Sequence, residues 1–174
     1  MARVITFSRF FPKGHRKEGK PTFFVEKIWA SLVDQQKEFP EFWPGWFNLN
    51  SIHPFNGNSF DKIECKHHTI RSGKWWKVGD KFSPRIWTGT PYRSKMCVIG
   101  PDIEIKKVFD IEIDEYKFII NGKLFYHQHV SRWHSDIEEL AKNDGLDAGD
   151  LFDWFNIPCK FSGQVICWNE NINY

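Results

Sequence analysis

The second half of this chain consists mainly of short strand-like segments, and this pattern restricts the possible folds most. Strands are predicted at 81–87, 95–99, 103–113 and 161–168, and a hairpin at 116–126. In these segments apolar and polar residues tend to alternate, as they do in strands with one buried face. Asn121-Gly122 between two apolar runs is typical of a two-residue hairpin turn. Many strands with few, short helices favour a mixed barrel of the α+β class over a doubly wound sheet.

Helical patterns are short and lie on either side of these strands. Thr22 is a predicted N-cap for a helix at about 22–38, and a shorter helix is predicted at 60–66. Ser135 to Glu138 has the spacing of a capping box for a helix through Ala141, and 147–155 predicts another helix. Pro84 indicates that its strand lies at a sheet edge or contains a bulge.

Composition excludes several classes of protein. The net charge of +2 is too small to indicate nucleic-acid binding, although an aromatic content of 17% leaves rings available for base stacking. The chain has four cysteines but no C-x-x-C pair, no signal-peptide pattern and no apolar run of about 20 residues. We therefore expect a cytoplasmic monomer with reduced thiols and no membrane partner.

Neither histidine-containing segment predicts a metal site. Cys65, His67 and His68 match no standard zinc spacing, and His127, His129 and His134 do not either. We expect no metal and no cofactor.

The segment from Lys66 to Arg71 carries the chemistry most suggestive of a site. It contains an amine on Lys66, a hydroxyl on Thr69 and a guanidinium on Arg71. If a helix is followed by a strand here, all three groups can converge, because Lys66 and Thr69 are three apart and Thr69 and Arg71 are two apart. The convergence would suit an anionic or carbonyl-bearing ligand. A helix C-terminus with solvated basic residues is the alternative.

A second basic region precedes the first predicted helix. Residues 9–20 include Arg9, Arg16 and Lys17 among glycines and a proline, which predicts a loop. The loop is either solvated or in contact with phosphates. The following residues, 39–60, form an irregular stretch rich in Trp and Phe. We expect its rings to pin it to the body of the protein, with a lid or a stacking surface as the alternative.

The amino-acid sequence of the Lys66 segment resembles that of the ASCH family. The matching pattern is K-x-x-T-I-R, then W-K-V-G-D-K-F and a strand that ends in W-T-G-x-P-Y. Residues 5–11 and about 60–168 share the resemblance. It implies a PUA-like, ASCH-type mixed β-barrel with short flanking helices. Residues 1–174 would then form one domain, with 12–59 as an inserted helix and loop.

The resemblance also implies which residues act. In family members that hydrolyse acetylated cytidine, the corresponding residues are Lys66, Thr69 and an acid, whose place Asp144 takes. The family enzymes carry Glu there, so the acid of this chain is shorter by one methylene.

Further candidate ligand-binding residues are Arg71, Tyr92, Arg93 and Arg9. The resemblance implies that the turn around Tyr92 borders the cleft, where its ring could stack on a base. Trp87 could do the same, but we expect it in the core.

We expect the cleft to bind RNA or a modified nucleoside. The alternatives are an amidohydrolase that acts on an acylated cytidine-type nucleoside, an RNA nuclease, and a module that docks a protein through the aromatic insertion.

Overall fold

The strands form two sheets, one of which is antiparallel throughout. The computed structural model describes residues 2–32, 64–128 and 134–174. The larger sheet has the order β2-β9-β6-β7-β8. Its strands are β2 (His68–Ser72), β6 (Lys107–Glu115), β7 (Lys117–Ile120), β8 (Lys123–His127) and β9 (Cys159–Cys167). Strand β9 lies between β2 and β6 and pairs with β6 over nine register positions, from Lys107↔Cys167 to Glu115↔Cys159.

The smaller sheet is built around β3. Its strands are β1 (Arg3–Phe7), β3 (Lys81–Trp87), β4 (Met96–Val98) and β5 (Ile103–Glu104). Strand β1 runs parallel to β3, whereas β4 and β5 pair with it antiparallel. Within the described ranges these sheets remain open and no closed barrel forms. The predicted α+β class is confirmed.

Three helices are present in the described part of the chain: α1 (Phe24–Ser31), α2 (His134–Asn143) and α3 (Ala148–Phe155). Helix α1 buries Phe24, Val25, Ile28 and Trp29 in the core.

Aromatic rings pack between the two sheets. Phe82 of β3 lies 6.4 Å from Phe7 and 5.8 Å from Trp168, measured between ring centroids.

The predicted hairpin and the third helix are confirmed. Asn121 and Gly122 have φ angles of 49° and 75°, as the two central residues of a type I′ turn require. Asp147 is the N-cap of α3 and its side chain accepts a hydrogen bond from the Asp150 amide. The predicted capping box at Ser135 is wrong, because α2 already begins at His134.

Pro84 does not mark an edge strand, because β3 has partners on both sides. On one side β5 pairs with residues up to Phe82 and β4 pairs from Arg85 onward. Pro84 therefore lies between the two partners, where the missing amide hydrogen interrupts no ladder bond. Its carbonyl accepts from the Ile99 amide at 3.1 Å.

The helix predicted at 60–66 is wrong over the part that is described, since residues 64–67 belong to no helix or strand. The remainder of that helix, and the aromatic loop predicted at 39–60, lie outside the described residues. Helix α1 begins two residues after the predicted start, and Thr22 is not its N-cap. The Thr22 hydroxyl nevertheless accepts from the Phe24 amide at 3.3 Å.

Candidate functional site

A cavity of about 210 Å³ lies where β1, β2 and β3 approach the ends of α1, α2 and α3. The predicted residues Lys66, Thr69, Arg71, Tyr92 and Asp144 all line it. The other lining residues are Thr6, Phe7, Ser8, Phe24, Ile70, Trp87, Pro91, Trp154 and Phe155. Two chain segments separated by more than 70 residues, around Lys66 and Asp144, therefore supply its polar groups.

Strand β2 places Thr69 and Arg71 on the same side, because side chains two apart in a strand share a face. Arg71 donates from Nη2 to the carbonyl of Thr6 at 2.7 Å, and its guanidinium lies 5.3 Å from the Phe7 ring centroid. Its Nε is buried and has no hydrogen-bond partner in the described part of the chain. The Thr6 carbonyl is thus the only hydrogen-bond acceptor that this guanidinium contacts in the described residues.

Lys66 precedes β2 in an irregular segment that is fixed by backbone hydrogen bonds. The Lys66 amide donates to the Lys27 carbonyl at 3.0 Å, and the His67 amide to the Asn143 carbonyl at 2.7 Å. The Lys66 side chain is 1% exposed, and its Nζ donates to Asp144 Oδ1 at 2.7 Å and also to the Asp144 carbonyl. Its ammonium lies 4.3 Å from the Phe24 ring centroid. The prediction that a helical turn places Lys66 beside Thr69 is therefore wrong. Backbone hydrogen bonds to Lys27 and Asn143 and the contact with Asp144 hold Lys66 at the site instead.

Asp144 is in place because α2 ends there in a Schellman motif. The Leu146 amide donates to the Ala141 carbonyl and the Gly145 amide to the Lys142 carbonyl, each at 2.9 Å. Gly145 adopts the left-handed conformation that this motif needs, with φ of 77°.

Two lysines satisfy the carbonyls that follow the helix. Lys66 donates to the Asp144 carbonyl and Lys27 to that of Gly145, the latter at 2.6 Å. The helix end is thus tied both to the residue before β2 and to α1.

Burial and charge act in opposite directions on this ion pair. Burial lowers the pKa of Lys66 to about 8, although the Asp144 carboxylate limits the decrease. Burial also raises the pKa of Asp144, and Lys66 opposes that increase. At pH 7 a Lys66 pKa of about 8 leaves its amine mostly protonated. The Asp144 Oδ1 atom lies 2.7 Å from this ammonium, which is the distance of an ion pair.

His68 lies behind the carboxylate of Asp144. Its Nδ1 is 3.5 Å from Asp144 Oδ1, and its Nε2 is 3.1 Å from the Leu140 carbonyl. Burial holds the pKa of His68 well below its ordinary value, so the ring is neutral at pH 7. A neutral ring adds no charge to the site.

The Thr69 side chain is not prepared as a nucleophile. Thr69 is 4% exposed, and its hydroxyl makes no hydrogen bond with any described residue. The Lys66 amine, its candidate base, donates to Asp144 instead. A Thr hydroxyl without a base is a weak nucleophile.

Two aromatic rings border the cavity. Tyr92 is 89% exposed and has a φ of 64°, and its ring centroid lies 5.3 Å from that of Trp87. Trp87 is half-buried and lines the cavity, so its predicted placement in the core is wrong. The two ring planes are inclined at 50° to each other, and they place aromatic surface next to the polar groups.

Arg93 and Arg9 do not line the cavity. Arg93 is exposed on the turn that follows Tyr92. Arg9 donates from Nη1 to the Thr88 carbonyl at 3.3 Å and lies over the Phe10 ring.

The basic loop packs on α3 through ion pairs. Asp150 is buried and accepts from Arg16 at 2.8 Å and from Lys17 at 2.6 Å. Asp147 accepts from both cations as well. Two of the basic side chains predicted to contact either solvent or phosphate are therefore neutralised by acids of the same chain.

Local sequence patterns do not predict the apolar walls of the cavity. Phe24 lies in the helix predicted at 22–38, and Trp154 and Phe155 lie in the helix predicted at 147–155, but neither helical pattern indicates a cavity. Phe24 precedes Trp154 by 130 residues (154 − 24), and only tertiary packing brings the two rings to the same cavity.

Among the residues that the structure describes, no group of three or more His, Cys, Asp or Glu side chains could hold a metal ion. None of the described helices is long and apolar enough to span a bilayer. Comparison with protein-family models, with curated proteins and with solved structures found no match to this chain.

Proposed function

We propose that this protein binds a single nucleotide of RNA, or a modified nucleoside, in the cavity at Lys66, Thr69 and Arg71. The observation that carries the proposal is the meeting of these polar groups with the half-buried Trp87 ring and the exposed Tyr92 ring at one small cavity. Drug-sized ligands occupy pockets of roughly 300–1,000 Å³. A cavity of about 210 Å³ is better matched to one base.

The polar and apolar groups divide the work of recognition. Tyr92 and Trp87 supply ring faces, and stacking is worth roughly 1–3 kcal/mol per base where it occurs. The Thr69 hydroxyl can both donate and accept, and Arg71 can donate to a carbonyl or an anionic oxygen. These are the groups that read the edge of a base. A PUA-like, ASCH-type arrangement, with the K-x-x-T-x-R segment facing the ligand, is part of the same proposal.

Binding is tested by titrating the four nucleosides and short single-stranded RNAs while tryptophan fluorescence is recorded, because Trp87 and Trp154 line the cavity. We expect Thr69→Val and Tyr92→Ala each to weaken binding, the first by loss of a polar contact and the second by loss of stacking. Trp75→Ala is the matched control, since Trp75 is 67% exposed and outside the cavity. Equal loss in the control variant, or no binding at millimolar ligand, would contradict the proposal.

An amidohydrolase acting on an acylated nucleoside is the second candidate. The observation in its favour is burial, which lowers the pKa of Lys66 to about 8 and gives its amine a usable basic form. In such a reaction neutral Lys66 would take the Thr69 proton, and the hydroxyl oxygen would attack the acyl carbonyl. The C–N bond would then break as Lys66 returns the proton to the leaving amine. Water would finally release the acid from the Thr69 ester.

The assay for this reaction measures free carboxylic acid released from an acylated cytidine. If the reaction occurs, Thr69→Ala and Lys66→Ala should each abolish turnover, and the double variant should be little worse than either. Asp144→Glu, which carries the acid of the family enzymes, should keep or raise activity. Binding without any release by the unmodified protein would leave recognition as the function of the cavity.

A further inference from the structure

Arg71 is a positively charged group on the cavity wall with no acid paired to it. No ion pair of Arg71 exists in the described part of the chain, and the only hydrogen bond of its side chain there goes to the neutral carbonyl of Thr6. Its Nε is buried without a partner. A buried charge is costly unless it is paired, so this guanidinium is poised to receive a negatively charged oxygen.

The charges that line the cavity add up to one positive charge. Lys66 and Arg71 are cationic, Asp144 is anionic, and the remaining lining residues are uncharged. Asp144 Oδ1 lies 2.7 Å from Lys66 Nζ, and its charge also attracts the Arg71 guanidinium without an ion pair between them. One positive charge therefore remains uncompensated among the three groups. A singly charged oxyanion would neutralise the cavity, a dianion would overcompensate it, and a cationic base would be repelled.

We propose that the cavity holds its nucleotide through one phosphodiester group, which pairs with the guanidinium of Arg71. A phosphodiester carries a single negative charge, and a guanidinium donates to two of its oxygens in parallel. This inference rests on the proposed function and makes it more specific: the ligand is part of an RNA strand rather than a free nucleoside.

The test compares the dinucleoside monophosphates UpU, CpC, ApA and GpG with the corresponding nucleosides by calorimetric titration. We expect at least one dinucleotide to bind roughly tenfold or more tightly than its nucleoside, as a charge-assisted pair provides. Its log affinity should fall with log salt concentration at a slope of about −0.7, the value for one neutralised phosphate on a single strand.

Arg71→Gln should collapse the affinity ratio between dinucleotide and nucleoside to near one and remove the salt slope. Arg71→Lys keeps the charge and should retain the slope, which separates loss of charge from loss of folding. Lys123→Gln is the matched control, because Lys123 is exposed on the distant hairpin and its change should leave the ratio intact.

Four outcomes would overturn the inference. A dinucleotide advantage that survives Arg71→Gln would place the phosphate elsewhere. If nucleoside 5′-monophosphates bind more tightly than the dinucleotides, the site prefers a dianionic group to a phosphodiester. Equal, salt-independent binding of nucleosides and dinucleotides would refute the inference while the proposed function stands. Absence of all binding would refute both.

Discussion

At the scale of single residues, the buried pair of Lys66 and Asp144 is the most consequential feature of the chain. The two side chains are 1% and 9% exposed, and their charged atoms are 2.7 Å apart. Such a pair adds little net stability, because desolvation offsets much of the attraction, but removing one member leaves an uncompensated buried charge.

We therefore expect Asp144→Ala to lower the free energy of unfolding by roughly 3–5 kcal/mol. Asp110→Ala is the control, because Asp110 pairs with Lys74 at a similar distance of 2.8 Å but is 44% exposed. Asp110→Ala should lower the free energy of unfolding by less than about 1 kcal/mol. Urea unfolding measures both. Similar losses in the two variants would show that burial does not govern the energetics of Lys66.

The titration of Lys66 gives a second prediction. Its amine should titrate near the pKa of about 8 caused by burial, well below exposed lysines, in an NMR titration of protein with ¹³C-labelled lysine. Asp144→Asn should lower that pKa further, because the carboxylate charge that raises it is lost. A Lys66 signal that titrates together with the exposed lysines would refute this account.

The lowered pKa of Lys66 also makes the free energy of unfolding depend on pH. Between pH about 8 and the ordinary lysine pKa of about 10.4, the unfolded chain binds more protons at this position than the folded one. The contribution of Lys66 to the free energy of unfolding should therefore rise with pH over that interval.

At the scale of elements, the end of helix α2 decides whether the site forms. A Cβ added at Gly145 would lie 3.2 Å from Lys27 Cδ and 3.4 Å from Lys66 Cβ, in a residue whose φ is 77°. Gly145→Ala thus combines backbone strain with crowding of both lysines. We expect a loss of stability of at least about 1–2 kcal/mol, the cost of the left-handed conformation alone.

Gly122→Ala is the matched control for Gly145→Ala. Gly122 has nearly the same φ, 75°, but an added Cβ there meets nothing within 4 Å. Urea unfolding of the two variants should show the smaller loss for Gly122→Ala, and the difference is the cost of crowding. If Gly122→Ala is equally damaging, the lysine contacts at the helix end have no energetic role.

Local signals predicted some elements well and others poorly. The Asn121-Gly122 turn and the helix at 147–155 are predicted correctly because a few neighbouring residues determine their conformation. The predicted helix before Lys66 failed over its described part because the backbone there bonds to Lys27 and Asn143, partners that no local pattern reveals. The prediction of an edge strand at Pro84 failed for the same reason. Strand β3 can contain a proline there only because β5 and β4 pair with it on either side of Pro84, which no local pattern reveals.

At the scale of the whole molecule, the cavity lies where the two sheets meet. Strand β1 of one sheet contributes Thr6 and Phe7, and β2 of the other contributes Thr69 and Arg71. Lys66, Thr69 and Arg71 were predictable because one short motif carries all three. The rings of Phe24 and Trp154 were not, because they reach the cavity only after two distant helices pack on the sheets.

The ring of Phe82 links the two sheets under the cavity and gives the last prediction. It is fully buried and packs against Phe7, whose own ring lies 5.3 Å from the Arg71 guanidinium. Phe118 is also fully buried but packs against Tyr126 and Phe152, away from the cavity.

We expect Phe82→Leu and Phe118→Leu to destabilise the protein by similar amounts, each less than the roughly 3–5 kcal/mol of truncation to Ala. Only Phe82→Leu should shift the Arg71 Nε–Hε resonance in an NMR spectrum, because it alone removes support from the ring beside that guanidinium. Equal shifts in both variants would mean that the cavity responds to general loosening of the core. A shift confined to Phe82→Leu would mean that the junction of the two sheets holds Arg71 in position for its ligand.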